Sequence, residues 1–449
     1  MDFISVLRGI IGLILLIGIA WLFSSNKKSV NWRLVGMGIT IQIIFAVFII
    51  HSELLRSWFF PLGWLKDAVN WLGMAIVSLL SFTLEGSKFV FGKLGSSTGS
   101  DSIGFFFAFQ VLPTIIFVSS LAAVLYHLNI LQTVVKALAW LMAKLLGTSG
   151  AETLSNAAQI FLGQTEAPLL VRPYIQTMTK SEILTLMIGG MATISAALIA
   201  TYSQMLGQAY ADFHHIPLEA SQLKFAVSLL AASTMAFPGS MVIAKILFPE
   251  DGEPVTKGTV KIKVEKKNSN VIDAAATGAG DGLWLALNVA AMLLAFIALI
   301  ALFNYILTGI GYATGINAMM VKNFGQPLSI QLIFGMVLQY IAIGIGVPVH
   351  DALHFGSLIG TKTVLNEFVA YLDMSSMIRN GWLSEKAITM ATYALCGFAN
   401  FSSIAIQIGG IGPMAPDRKK DIAYFGLKAV LGGCLVTLMT ATLAGILTQ

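Results

Sequence analysis

Runs of about twenty consecutive apolar residues recur along this chain, and a helical run of that length matches the hydrocarbon thickness of a bilayer. In lipid every backbone N–H and C=O must find its partner inside the protein. A spanning run of this length therefore reads as an α-helix, which pairs its backbone within itself. Eight runs read as full crossings: 3–23, 34–50, 105–128, 183–206, 223–248, 283–307, 387–409 and 422–447. Composition agrees, with 56% hydrophobic and 11% charged residues over 449 positions, where a soluble domain carries about a quarter charged. That excludes a soluble enzyme. The net charge of +5 is carried in short loops, so it reads as a topology signal rather than a patch for nucleic acid.

The run 3–23 has no basic residue before it and no small-residue cleavage pattern after it, so it reads as a membrane helix and not a signal peptide. Lys27, Lys28 and Arg33, then Lys257, Lys261, Lys263, Lys266 and Lys267, then Arg418, Lys419 and Lys420 fall in three loops. The count of crossings puts all three on one side, which the positive-inside rule makes the cytoplasm. The loop 208–221 lacks Lys and Arg and falls outside, as do both termini. Cys396 and Cys434 lie in apolar helical sequence and read as buried thiols.

Four apolar stretches are interrupted: 64–82, 130–146, 151–179 and 330–372. They are expected to be interfacial helices and re-entrant hairpins. Trp64 and Trp71 with Lys66 and Asp67 give the first the look of a helix lying in the headgroup plane. The Gly/Ser-rich stretch 95–102 reads as a connector.

Two interruptions carry the functional reading. Gly163, Gln164, Thr165, Glu166, Ala167 and Pro168 form one, and Asn366, Glu367 and Phe368 the other. A charge at mid-bilayer costs about 2.5 to 3.5 kcal/mol on insertion scales and is kept where it faces a cavity or a ligand. Glu166 and Glu367 can bind a cation, accept hydrogen bonds from a ligand, or carry protons; Gln164, Thr165, Asn366, Asn400, Ser402 and Ser403 add neutral donors and acceptors. The set suits an uncharged ligand with several hydroxyls. A charged ligand would call for Lys or Arg at the same depth, and Arg172, the candidate near the first interruption, is placed to snorkel to the interface.

The order recurs. The first interruption is followed by Ser181 and Glu182 opening a span with Thr193, Ile194 and Ser195, and the second by Ser384 and Glu385 opening one with Asn400, Phe401, Ser402 and Ser403. Each span is expected to open on a serine cap with an acid behind it. Three crossings separate the two interruptions, so the repeat is inverted, as in secondary transporters. The competing reading is an intramembrane metallohydrolase, since His350, Asp351 and His354 resemble a zinc helix pattern with Asp in place of Glu.

The run from Gly163 to Tyr174, the run from Asn366 to Tyr371 and the run from Thr392 to Asn400 resemble the concentrative nucleoside transporters, and the resemblance extends over nearly the whole chain. It implies an all-α polytopic fold of eight transmembrane helices, two re-entrant helical hairpins and interfacial helices, assembled as a homotrimer in the inner membrane. The implied division is scaffold helices with an interfacial helix over 1–128, a first transport-domain repeat over 129–248 with its hairpin at 151–180, a cytoplasmic Lys-rich loop over 249–281, a scaffold helix over 282–309, and a second repeat over 327–449 with its hairpin at 348–378. The transport domain would move as an elevator. By the same resemblance Gln164 and Glu166 would bond the nucleobase, with Thr165 acting through water. Glu367, Asn400 and Ser403 would take the ribose hydroxyls, with Phe398 beside the sugar. The family's sodium ion would sit on the backbone oxygens of Leu162 and Ile194 and both oxygens of Thr193, with Gln159 standing where the family has Asn. Sodium is thus the expected coupling ion, with a proton as the alternative, and no cofactor is expected.

Overall fold

The computed structural model describes residues 3–50, 64–96, 106–257 and 268–448. Lys261, Lys263, Lys266 and Lys267, most of the connector and the side chains of Trp64 and Lys66 lie outside the described residues. In order, the helices are α1 (Phe3–Leu22), α2 (Trp32–Ile50), α3 (Trp64–Phe91), α4 (Leu112–His127), α5 (Ile130–Leu146), α6 (Gly150–Ala158), α7 (Lys180–Ala192), α8 (Ala196–His214), α9 (Leu218–Leu247), α10 (Val271–Ala313), α11 (Ile316–Phe324), α12 (Ile330–Gly344), α13 (Ala352–Val364), α14 (Glu367–Arg379), α15 (Glu385–Leu395), α16 (Phe401–Ile411) and α17 (Lys419–Leu447).

Among the described residues eight helical stretches are long and apolar enough to cross a membrane, the number expected, but not all are the runs expected. The stretch expected to lie in the headgroup plane belongs to the unbroken 28-residue helix α3, which from Asn70 onward, with the helical turn to Gly95 after it, makes one of the eight. Hydropathy falls at Thr83, Glu85 and Lys88, yet nothing there breaks a helix, so the backbone continues. The run 387–409 is instead cut into α15 and α16, of 11 residues each, by Cys396–Asn400. Those residues are mostly small or apolar, so hydropathy does not register the break.

The Lys-rich loop is also shorter than expected. Helix α10 begins at Val271, where the Asn270 side chain accepts from the Asp273 N–H at 2.9 Å, and runs 43 residues, about 65 Å at 1.5 Å per residue. The small residues that look like loop sequence are a packing stripe: Ala274, Gly278, Gly282 and Ala286 are all buried, and a Cβ on Gly282 would lie 2.8 Å from the Ile116 Cα of α4. Such spacing lets two helix backbones approach closely where lipid supplies no hydrophobic driving force.

The buried centre is α7, α8, α9 and α17, whereas α10 buries only a narrow share of its surface. Around that centre two sets of elements share an order: short helix, break, short helix, capped helix, break, helix, long helix. In the first, α6 ends at Ala158 and the chain turns through 159–166 before short helical turns; in the second, α13 and α14 meet at Leu365 and Asn366. At 13 residues each, α13 and α14 are about 20 Å long, too short to cross singly. Helix α15 opens on Ser384 as expected, its hydroxyl accepting from the Ala387 N–H. Helix α7 opens two residues before the expected cap, on Thr179, because Thr179 and Glu182 satisfy each other's end of a reciprocal capping box; Ser181 instead bonds the Phe248 carbonyl at 2.7 Å.

Candidate functional site

The two backbone breaks that interrupt α7–α8 and α15–α16 abut each other. Gly397 sits where a Cβ would be 2.7 Å from the Met191 carbonyl and 3.0 Å from the Ala192 carbonyl carbon, so only glycine allows the crossing. Beside them the two earlier interruptions converge, and a cavity of about 180 Å³ forms.

Its lining divides by chemistry. Gln164, Thr165, Glu166, Asn366, Glu367, Asn400, Ser402 and Ser403 form the polar side, with Phe398 and Tyr202, while Leu285, Val289, Met292 and Leu293 of α10 form an apolar wall. All seven residues expected to bind substrate, Gln164, Thr165, Glu166, Glu367, Phe398, Asn400 and Ser403, are therefore brought together.

Each is held by its local fold. Asn366 caps α14 by accepting from the Val369 N–H at 2.9 Å, which places Glu367 in the first turn of that helix, where a carboxylate favours the positive end of the dipole. Asn400 caps α16, its Oδ1 accepting from the Ser403 N–H at 2.9 Å and from the Ser402 hydroxyl at 2.7 Å. The backbone donor fixes that oxygen, so Asn400 Nδ2 faces Glu367 Oε2, to which it donates at 3.1 Å. The other carboxylate oxygen accepts from the Tyr202 hydroxyl at 3.1 Å. On the first interruption Glu166 is exposed and its Oε2 accepts from the Gly163 N–H at 3.2 Å. Gln164 is buried and donates from Nε2 to Ser403 Oγ at 3.3 Å. Thr165 reaches α16 because position 410 is glycine; a Cβ there would lie 2.4 Å from the Thr165 methyl.

Three further residues escaped sequence reasoning. Tyr202 is fully buried, packs edge-on to Phe368 and tilted against Tyr371, and holds Glu367. It stands four and seven residues on from Leu198 and Ser195, so a helical-face analysis of α8 would have found it. Gln407 is likewise four residues on from Ser403. Lys362 is buried, unlike Arg172, and donates to the Ala394 carbonyl at 2.8 Å and the Thr437 hydroxyl at 3.0 Å. It thus serves a carbonyl in the last turn of α15, where a cation suits the helix end.

Gln159, Leu162, Thr193 and Ile194 are all buried. Gln159 Nε2 donates to the Leu186 carbonyl at 3.0 Å, and its Oε1 is buried with no hydrogen-bond partner. That oxygen faces Gly189, where a Cβ would lie 2.2 Å away, and the Thr193 hydroxyl donates to the Gly189 carbonyl at 2.9 Å. A buried amide oxygen without a hydrogen-bond partner is chemistry that fits a hard cation such as sodium.

The hydrolase reading fails on geometry. Helix α13 starts at Ala352, so His350 lies in the preceding turn and the i, i+4 spacing on one helical face is lost. Asp351 is occupied as the acceptor for the Ser384 hydroxyl and N–H, and His354 stacks on Trp382. Among the described residues no group of three or more His, Cys, Asp or Glu is gathered for a metal.

Comparison with known proteins agrees over the full length. Family models described as "Na+ dependent nucleoside transporter" match residues 11–94 (N-terminus) and 228–445 (C-terminus), and a gate model described as "Nucleoside recognition" matches 108–209. An uncharacterized transporter of Haemophilus influenzae is 43% identical over 446 residues, covering 98% of each chain. The nucleoside permease NupC of Helicobacter pylori is 38% identical over 447 residues, again covering 98% of each. The structure of CNTnw in an inward-facing substrate-bound state superposes with a TM-score of 0.83 at 39% identity, over 99% of this chain and 98% of that one. A variant of CNTnw in an outward-facing state gives 0.84 at the same identity and coverage. With the helical fold and a polar cavity lined by the motif residues, these similarities make the chain a multi-pass membrane protein of the bacterial concentrative nucleoside transporter family.

Proposed function

We propose that this protein imports nucleosides across the inner membrane by symport with sodium, using the 180 Å³ cavity as its substrate site. The observation that carries the reading is the convergence of seven motif residues on one cavity that, among the described residues, offers acceptors and donors but no lysine or arginine, as an uncharged ribose and base require. Glu367, Asn400 and Ser403 take the ribose hydroxyls; Gln164 and Glu166 read the base with Thr165 assisting through water, and Phe398 packs on the sugar. Gln159, Leu162, Thr193 and Ile194 hold the ion. Main-chain and amide oxygens do not titrate near neutrality, which favours a metal ion over a proton.

The 151–180 and 348–378 segments act as inverted re-entrant hairpins, and with α7–α9 and α15–α17 they form the transport domain. Helices α1, α2, α4 and α10 form the scaffold of a homotrimer whose termini face the periplasm. The apolar wall from α10 is the surface past which the substrate-loaded domain slides, giving alternating access by an elevator movement, consistent with relatives held in inward- and outward-facing states. The test is uptake of labelled uridine into proteoliposomes. A sodium gradient drives accumulation; replacement of sodium by choline at fixed pH abolishes it. Full uptake in choline under a pH gradient would transfer coupling to a proton, and no uptake under either gradient would refute nucleoside transport.

A further inference from the structure

Gln407 on α16 is fully buried, and its Nε2 donates to two acceptors, the Met187 carbonyl at 2.9 Å and Gln164 Oε1 at 3.2 Å. A main-chain carbonyl can only accept. The atom of Gln407 facing Met187 must therefore be the nitrogen, and the atom of Gln164 facing that nitrogen must be the oxygen. It follows that Gln164 turns its own nitrogen toward Ser403, whose hydroxyl accepts from it at 3.3 Å. One backbone carbonyl of α7 thus sets the direction of three successive side chains. Gly190 makes room for the relay, since a Cβ there would lie 2.9 Å from the Gln164 Cβ and 3.0 Å from Gln407 Nε2. The Gln407 oxygen is buried with no hydrogen-bond partner, so the residue is held through its donors alone.

We propose that Gln407 is a positioning residue that fixes the polarity of the base-reading amide, so that Gln164 offers the cavity its remaining N–H and Ser403 its O–H. The inference rests on the cavity being the nucleoside site. With that polarity the site selects ribosides whose base carries a carbonyl oxygen or ring nitrogen to accept the Gln164 donor, over ribosides of equal size whose base has no acceptor. Without Gln407 the Gln164 amide is free to turn over, and the selection is lost while the sugar contacts of Glu367 and Asn400 persist.

The experiment measures inhibition of labelled uridine uptake by unlabelled uridine and by phenyl C-riboside, in the wild type and in Gln407→Met, which keeps volume and removes both donors. The wild type should prefer uridine, and Gln407→Met should reduce that preference about tenfold, the scale of one lost hydrogen bond, by weakening uridine while phenyl C-riboside is unchanged. A loss that falls equally on both ribosides marks a structural role and overturns the proposal. If Gln407→Met does not elute as a single species in detergent, Gln407→Asn, a methylene too short to reach both acceptors, carries the same criterion. If neither variant assembles, Gln407 is a packing residue and the proposal fails. Failure of the wild type to take up uridine would instead strike the transport reading, before Gln407 enters.

Discussion

Glu166 and Glu367 hold corresponding places in the two interruptions and opposite physical situations. Glu166 is exposed and turns back to accept from Gly163 of its own loop, whereas Glu367 is 6% exposed and receives one donor at each oxygen from two other helical elements, Tyr202 and Asn400. The first carboxylate can follow a ligand by moving its loop. The second is set in place before any ligand arrives, and what a preorganised group contributes to binding is lost when it is altered. On the proposed reading of the cavity, two carboxylates that look equivalent in sequence would divide the work into adaptable and fixed recognition.

That contrast is broken most directly by Glu367→Gln. An amide has one oxygen where two donors converge, so either Tyr202 or Asn400 is left facing an N–H. Losing a hydrogen bond to a charged group costs about 1.5 to 3 kcal/mol, so uridine affinity should fall roughly 10- to 100-fold in equilibrium binding, and unchanged affinity would remove Glu367 from the site. Tyr202→Phe keeps the aromatic packing and deletes one of the two donors; a loss of about three- to tenfold is expected, since Asn400 still holds the carboxylate. Glu166→Gln should cost less than either, about two- to fivefold, because an exposed loop can re-form its local bonds. If it exceeds the effect of Glu367→Gln, the distinction between the two is wrong.

The smallest effect concerns the ion pair that anchors α15. Burial raises the pKa of Glu385, but hydrogen bonds from Lys224 and Tyr210 outweigh it, and the carboxyl is held below its ordinary value. A depressed folded pKa contributes stability that is present above the unfolded value, about 4.3, and is lost as pH falls through the lower folded value. The thermal midpoint in detergent should fall slightly across that acid range in the wild type, and Glu385→Gln should lack that component. An equal acid response in both would show that the pair contributes nothing.

Much of the site was legible because polar residues inside apolar sequence stand out. Gln164, Glu166, Glu367, Asn400 and Ser403 were all visible for that reason, and all line the cavity. Tyr202 was hidden because a tyrosine in an apolar span is read as packing, and Gln407 because its partners lie more than 200 residues away in sequence. The fold was legible in its number of spans and less so in their ends. Hydropathy counts transfer energy residue by residue and is blind to backbone breaks made of small apolar residues, as at Cys396–Asn400, and to stripes such as Ala274, Gly278, Gly282 and Ala286, whose smallness serves contact rather than turning.

The contact between the two helix breaks at Gly397 and Met191 bears on how a helical core keeps unpaired backbone out of lipid. Each break leaves main-chain polar groups without helical partners, and in hydrocarbon each unmatched group is a penalty of several kcal/mol. Had the breaks been placed apart, each would have needed its own polar lining to keep those groups from the acyl chains. Set against one another and packed on Gly433 and Thr437 of α17, they gather the unpaired backbone into one region beside the cavity. One polar region, rather than two, then has to be shielded from the bilayer.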